Sequence, residues 1–170
     1  MNLARGQQLR GRRGGFTLVE VSVCVVIVGV MLAAVMQTVG QSSVMQFRLA
    51  ERSRAAQLAR SMMAEILAQP YQDALVATTT LGPEPGELRA TYDDIDDYNG
   101  LTESPPTAKD GTSLNLPSAS TWRRSVSVAW VTPTTLASSA TESGLKKITV
   151  SVYHRGTLVY TLSALKGNAP

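Results

Sequence analysis

The chain has 170 residues, of which 16 are Lys or Arg and 13 are Asp or Glu, giving a formal charge of +3. Its length limits it to one globular domain plus an extension, at roughly 100–200 residues per domain. The basic excess does not argue for nucleic acid as a partner: Arg5, Arg10, Arg12 and Arg13 all precede Gly15, and without residues 1–15 the balance is 12 basic to 13 acidic.

The one cysteine, Cys24, excludes an intramolecular disulfide, so any folded domain must hold by packing alone. Cys24 lies in an apolar run and reads as a small hydrophobe. That run, FTLVEVSVCVVIVGVMLAAVM at 16–36, has Glu20 as its single ionisable side chain apart from the thiol. About 20 such residues cross a bilayer as a helix. The arginines before it form a positive flank that places the N-terminus in the cytoplasm and the rest of the chain outside. A secretory signal carries its cleavage site after the apolar core. Here the small pair Gly14-Gly15 comes before the core, so cutting after Gly15 removes a basic leader, 1–15, and leaves the membrane helix on the product.

Beyond Gln37 the chain turns amphipathic. Leu49, Ala56, Ala59, Met63, Ile66 and Leu67 recur at helical steps and predict one buried face, with Arg48, Arg52, Glu51 and Ala55 on a wetter side. Pro70 cannot donate a helical hydrogen bond, so the expected spine is a helix over 16–69, membrane-spanning to about 36. Gly29 and Gly40 are candidate hinges or close-packing points within it.

The expected globular part is 70–170. Residues 71–121 are rich in Pro, Gly and small polar residues and read as variable loop with room for a short strand. Three strands follow at 123–131, 146–154 and 157–165, alternating with period two. Only Arg155-Gly156 separates the last two, which predicts an antiparallel hairpin. The fold class expected is therefore α+β, a long N-terminal helix packed on a small antiparallel sheet.

The loop holds four aspartates, Asp93, Asp94, Asp96 and Asp97, in YDDIDDYNG. Hard cations take oxygen ligands, so calcium is one reading; the other is a solvated acidic loop with Tyr92 or Tyr98 packed inward. The spacing is not that of an EF-hand. His154, the only histidine, reads as a surface or turn residue, without partners for zinc or for a nucleophile triad. Arg123-Arg124 and Lys146-Lys147 read as charge pairs that keep strand edges soluble. No catalytic constellation, phosphate loop or cofactor motif emerges, and an enzyme is not expected.

The residues Gly14-Gly15-Phe16-Thr17-Leu18-Val19-Glu20, with the helix behind them, resemble the class III signal of type IV pilins and type II secretion pseudopilins. DDIDDYNG and LKKITVSVYHRG look similar to minor subunits of the MSHA biogenesis D and pseudopilin I types. A lone Cys24 departs from the disulfide loop of many major pilins. The resemblance implies cleavage between Gly15 and Phe16 by a prepilin peptidase that also N-methylates Phe16. It further implies an inner-membrane assembly platform and other pilins or pseudopilins as partners, with lipid around the helix before assembly. The final location implied is a pilus or a secretion pseudopilus. Phe16 and Glu20 are then the candidate assembly residues: the new amine and the carboxylate pair within a helix or between neighbours, and fix helix register. The rival expectation is a membrane-tethered module whose loops at 71–121 bind secreted cargo, DNA or a surface.

Overall fold

The computed structural model describes residues 15–73 and 80–168, with the backbone alone at 39–43. Residues 1–14 of the expected leader and part of the loop expected at 71–121 lie outside those residues. The chain divides into two compact units, Met1–Gln46 and Phe47–Pro170.

In chain order the elements are helix α1 (Leu18–Leu67), strands β1 (Thr102–Glu103), β2 (Trp122–Trp130), β3 (Leu145–His154) and β4 (Thr157–Gly167), with short 3₁₀ turns at Arg89–Thr91, Asp96–Tyr98 and Ala119–Thr121. The fold is α+β. Helix α1 lacks proline throughout and consists largely of residues that tolerate or favour helix. It closes where Pro70 forbids continuation, with Gln69 N–H bonded to the Ile66 carbonyl at 3.0 Å.

The first unit contains Leu18–Thr38, a stretch long and apolar enough to cross a membrane. Its large side chains stand exposed, Val26 at 64% and Leu32 at 60%. Such a surface needs lipid or other helices, because apolar area left in water forgoes about 25 cal/mol per Å².

In the second unit the sheet is antiparallel with spatial order β1-β2-β3-β4, and β1 is a short strand within the 71–121 loop, beside the three expected after it. The β3–β4 hairpin turns through Arg155 and Gly156, both at positive φ (50° and 79°), the geometry of a two-residue turn that follows the strand twist. Val126, Val128, Ile148, Val150 and Val152 line the inner face and pack with Ala55, Leu58, Ala59, Met62, Met63 and Ile66 of α1.

Three expectations need correction here. Ala55 is fully buried rather than on the wet side, whereas Leu49 is 59% exposed. The buried stripe steps 55, 59, 62, 66, and Leu49 falls outside it. Second, Arg124 and Lys146 are not edge solubilisers: they are 2% and 0% exposed. Period two places them on the inward register already set by Val126 and Ile148, while Lys147 is exposed and Arg123 lies 4.0 Å over the Tyr153 ring. Third, His154 is not a free surface residue: it stacks on Trp122 at 4.3 Å, with Nδ1 3.0 Å from Glu51 Oε1.

Buried charge is neutralised locally. Glu103 on β1 receives both Arg89 and Arg124, and Arg89 also reaches Glu65 of α1 at 2.9 Å. Arg124 further donates to the Leu58 carbonyl (3.3 Å) and the Thr107 carbonyl (2.8 Å). Two guanidiniums thus tie helix, edge strand and loop at one point. Desolvation lowers the Arg124 pKa, with Glu103 opposing that shift. Lys146 pairs with Asp96 at 2.7 Å and donates to the Tyr71 carbonyl at 2.6 Å. Lys166 of β4 donates to the Leu67 and Gln69 carbonyls, each at 3.3 Å. Helix α1 has no basic residue in its own last turn, so this lysine supplies the cation that a helix C-terminus favours.

Candidate processing and assembly site

Gly15, Phe16 and Thr17 precede the helix without regular structure, and Leu18 opens α1. Gly15 has no neighbour within 4 Å of where a Cβ would stand, and Phe16 is 79% exposed. The backbone at the Gly15–Phe16 bond is therefore uncovered, which is the state a protease needs to draw a chain into its cleft.

Thr17 and Glu20 form a reciprocal cap. The Glu20 N–H donates to Thr17 Oγ1 at 3.3 Å, and the Thr17 N–H donates to Glu20 Oε2 at 3.4 Å. This is the capping-box arrangement, in which two otherwise orphaned amides of a first turn are satisfied by side chains. Glu20 is also the acidic residue of that turn, where the helix dipole favours a negative charge. Sequence reading assigned the carboxylate to assembly and passed over Thr17. The Thr-x-x-Glu spacing at 17–20 was the signal that could have revealed the cap.

The remaining site candidates lie in the head. Asp93 is exposed, but Asp94, Asp96 and Asp97 are 1%, 2% and 1% exposed, so this loop is not solvated. Tyr92 and Tyr98 are both packed inward, edge to face at 5.1 Å. Asp94 accepts the backbone N–H groups of Asp73 (2.8 Å), Asp96 (2.6 Å) and Asp97 (3.2 Å). Asp96 is straddled by Lys146. Asp97 Oδ2 accepts the N–H groups of Asp93 (2.9 Å) and Asp94 (3.2 Å), while its Oδ1 has no hydrogen-bond partner. Burial pushes the Asp96 and Asp97 carboxyls up to about 6 each.

The structure therefore does not gather the four aspartates into one ligand set. Instead Asp97 converges with Glu84 and Glu87, one carboxylate oxygen from each lying within 4.8 Å of the others. The Glu84 pKa is raised, chiefly by the hydrogen bond it shares with Glu87. Neither glutamate stands out in the sequence, since GPEPGEL reads as an ordinary turn.

Comparison with known proteins bears on the N-terminus. Residues 10–36 match the family model described as the prokaryotic N-terminal methylation motif. No curated protein and no solved structure matches the chain. The motif points to a precursor of the type IV pilin or pseudopilin kind, and it implies processing by a prepilin peptidase and assembly with other pilins. The apolar helix that follows fits a single-pass membrane anchor.

Proposed function

We propose that this chain is a minor structural subunit of a type IV pilus or a type II secretion filament, with no catalytic chemistry of its own. The observation that carries this reading is the methylation motif at 10–36 running into an apolar helix whose side chains are bare. The peptidase cuts between Gly15 and Phe16 and methylates the new amine, which keeps its positive charge. The chain waits in the inner membrane with its N-terminus in the cytoplasm and the head outside. It then leaves the bilayer for a bundle of like helices.

Glu20 gives that transfer a register. A carboxylate at mid-membrane costs about 2.5–3.5 kcal/mol on insertion scales, less near the interface. The amine of a neighbouring Phe16 offsets this in a low dielectric, and a mismatched register leaves one charge buried alone, at about 3–5 kcal/mol. The capping box holds the carboxylate at the first turn, within reach of such an amine.

N-terminal mass spectrometry of the chain, produced with and without a prepilin peptidase, tests the proposal. The expected product begins at Phe16 and carries one added methyl. Retention of residues 1–15 in a functional filament overturns it.

A further inference from the structure

Some charges of the head are spent inside it and others are not. Arg89, Arg124 and Lys146 meet buried carboxylates. Arg54 and Arg155 are exposed and form no ion pair among the described residues. Both line a cavity of about 250 Å³ together with Glu51, Pro117, Trp122 and His154. The Trp122 and His154 rings in that lining are stacked, and the Glu51 carboxylate already faces His154 Nδ1 at 3.0 Å. What remains for a visitor is two guanidinium forks beside aromatic rings, a donor set that suits a carboxylate. The volume falls below the roughly 300–1,000 Å³ of small-molecule and cofactor sites, so it fits a side chain or two of a protein partner.

The matching charge lies at the other end of the head. Asp93 and Asp110 are exposed, and neither forms an ion pair among the described residues. Lys109 is spent on the Tyr92 carbonyl, a bond that brings both aspartates to one corner. Asp110 accepts the Thr112 N–H at 2.9 Å, which lowers its pKa and holds it charged. That corner adjoins the end of α1, since Asp94 accepts the N–H of Asp73, just beyond Leu67. The cavity instead adjoins Glu51, and from Glu51 to Leu67 the helix runs about 24 Å at 1.5 Å per residue. We propose that Arg54 and Arg155 of one chain receive Asp93 and Asp110 of a second copy, head to tail. A two-fold pairing through either patch would set like charges against each other, which electrostatic complementarity disfavours. Contact between unlike patches is heterologous, so every added copy still presents one of each. The contact goes beyond the filament reading and does not rest on it: it joins heads, and it can fail while cleavage at Gly15–Phe16 stands.

The test uses the full chain with Cys24→Ser, in detergent at low ionic strength, where exposed charges are screened least. One preparation carries Ser118→Cys at the cavity and another Ala90→Cys near the acidic corner, both at exposed positions. A short bis-maleimide is expected to join the mixed pair at least about tenfold more than either pair of identical positions. Equal yields from all three pairings overturn the assignment. Adding Arg54→Glu and Arg155→Glu to the first chain is expected to lower the mixed yield about tenfold, and Asp93→Arg with Asp110→Arg in the second chain to restore it. Circular dichroism verifies that each variant is folded. No loss on reversal, or no rescue between folded chains, overturns the proposal. An anionic phospholipid added to the micelles at constant ionic strength is expected to leave the yield unchanged. If it abolishes the cross-link, the cavity takes lipid headgroups and the assignment to a second copy falls.

Discussion

Thr17 and Glu20 each hold the other's backbone N–H, so the carboxylate that looks misplaced in an apolar helix is part of how that helix begins. One side chain thus serves two purposes that substitution can separate. Glu20→Gln keeps an acceptor for the Thr17 N–H and removes the charge. Thr17→Ala removes the cap and keeps the charge. If charge pairing sets assembly, Glu20→Gln lowers incorporation into filaments at least about tenfold, the equivalent of 1.4 kcal/mol, while membrane insertion is unchanged. Thr17→Ala costs about 1 kcal/mol of helix-end stability and leaves incorporation near normal. Immunoblotting of sheared filaments against the membrane fraction reads both, and equal incorporation of Glu20→Gln and the parent chain refutes the pairing.

The junction at Glu103 predicts strong coupling. Arg124→Met removes a guanidinium that also bonds the Leu58 and Thr107 carbonyls. It is expected to destabilise the head by about 3–5 kcal/mol, as when one partner of a buried pair is lost. Glu103 keeps Arg89 in that variant, so adding Glu103→Leu should cost less than Glu103→Leu alone, the bonds to Arg124 being already gone. A double-mutant cycle by denaturant unfolding checks this, and strict additivity of the two substitutions counts against a shared network.

Adjacent lysines on β3 should behave oppositely. Lys146→Met leaves Asp96 buried beside no cation and is expected to cost about 3–5 kcal/mol. Lys147→Met, one residue on and facing water, should stay within about 0.5 kcal/mol. Urea midpoints of the two variants settle the difference. Similar values would mean that Lys146 can swing out to solvent.

Lys166→Met tests the bond between β4 and the end of α1. The expected loss is about 0.3–1 kcal/mol, concentrated in faster amide exchange over 64–69. Uniform exchange across the head would mean that this lysine does not cap the helix.

Much of this architecture was legible. The 16–36 run, the proline stop at Pro70, the Arg155-Gly156 hairpin and the valine alternation are local signals, and each requires only neighbouring residues to be read. Arg124 and Lys146 were also on the page, since the register that buries Val126 and Ile148 buries them too. Treating them as pairs with Arg123 and Lys147 hid that, because charge outweighed position. What sequence could not reveal was long-range partnership. Glu65 meets Arg89 across 24 positions, and Lys146 meets Asp96 across 50. The same holds for the trio: Glu84 and Glu87 stand in a turn that looks unremarkable until the fold brings Asp97 beside it.

The reach of Lys166 to the Leu67 carbonyl spans 99 positions of chain. A ribosome working from the N-terminus therefore finishes the spine long before it makes the residue that closes the spine's end. Until β2 and β3 are made, the stripe at Ala55, Ala59, Met62 and Ile66 has no sheet to cover it. The early chain carries this bare helix face; the β2 and β3 valines then cover it, and β4 adds the cation that closes the helix end. The end of the spine is thus the last part of the head to be secured, and a truncation within β4 that removes Lys166 should fray the helix end first.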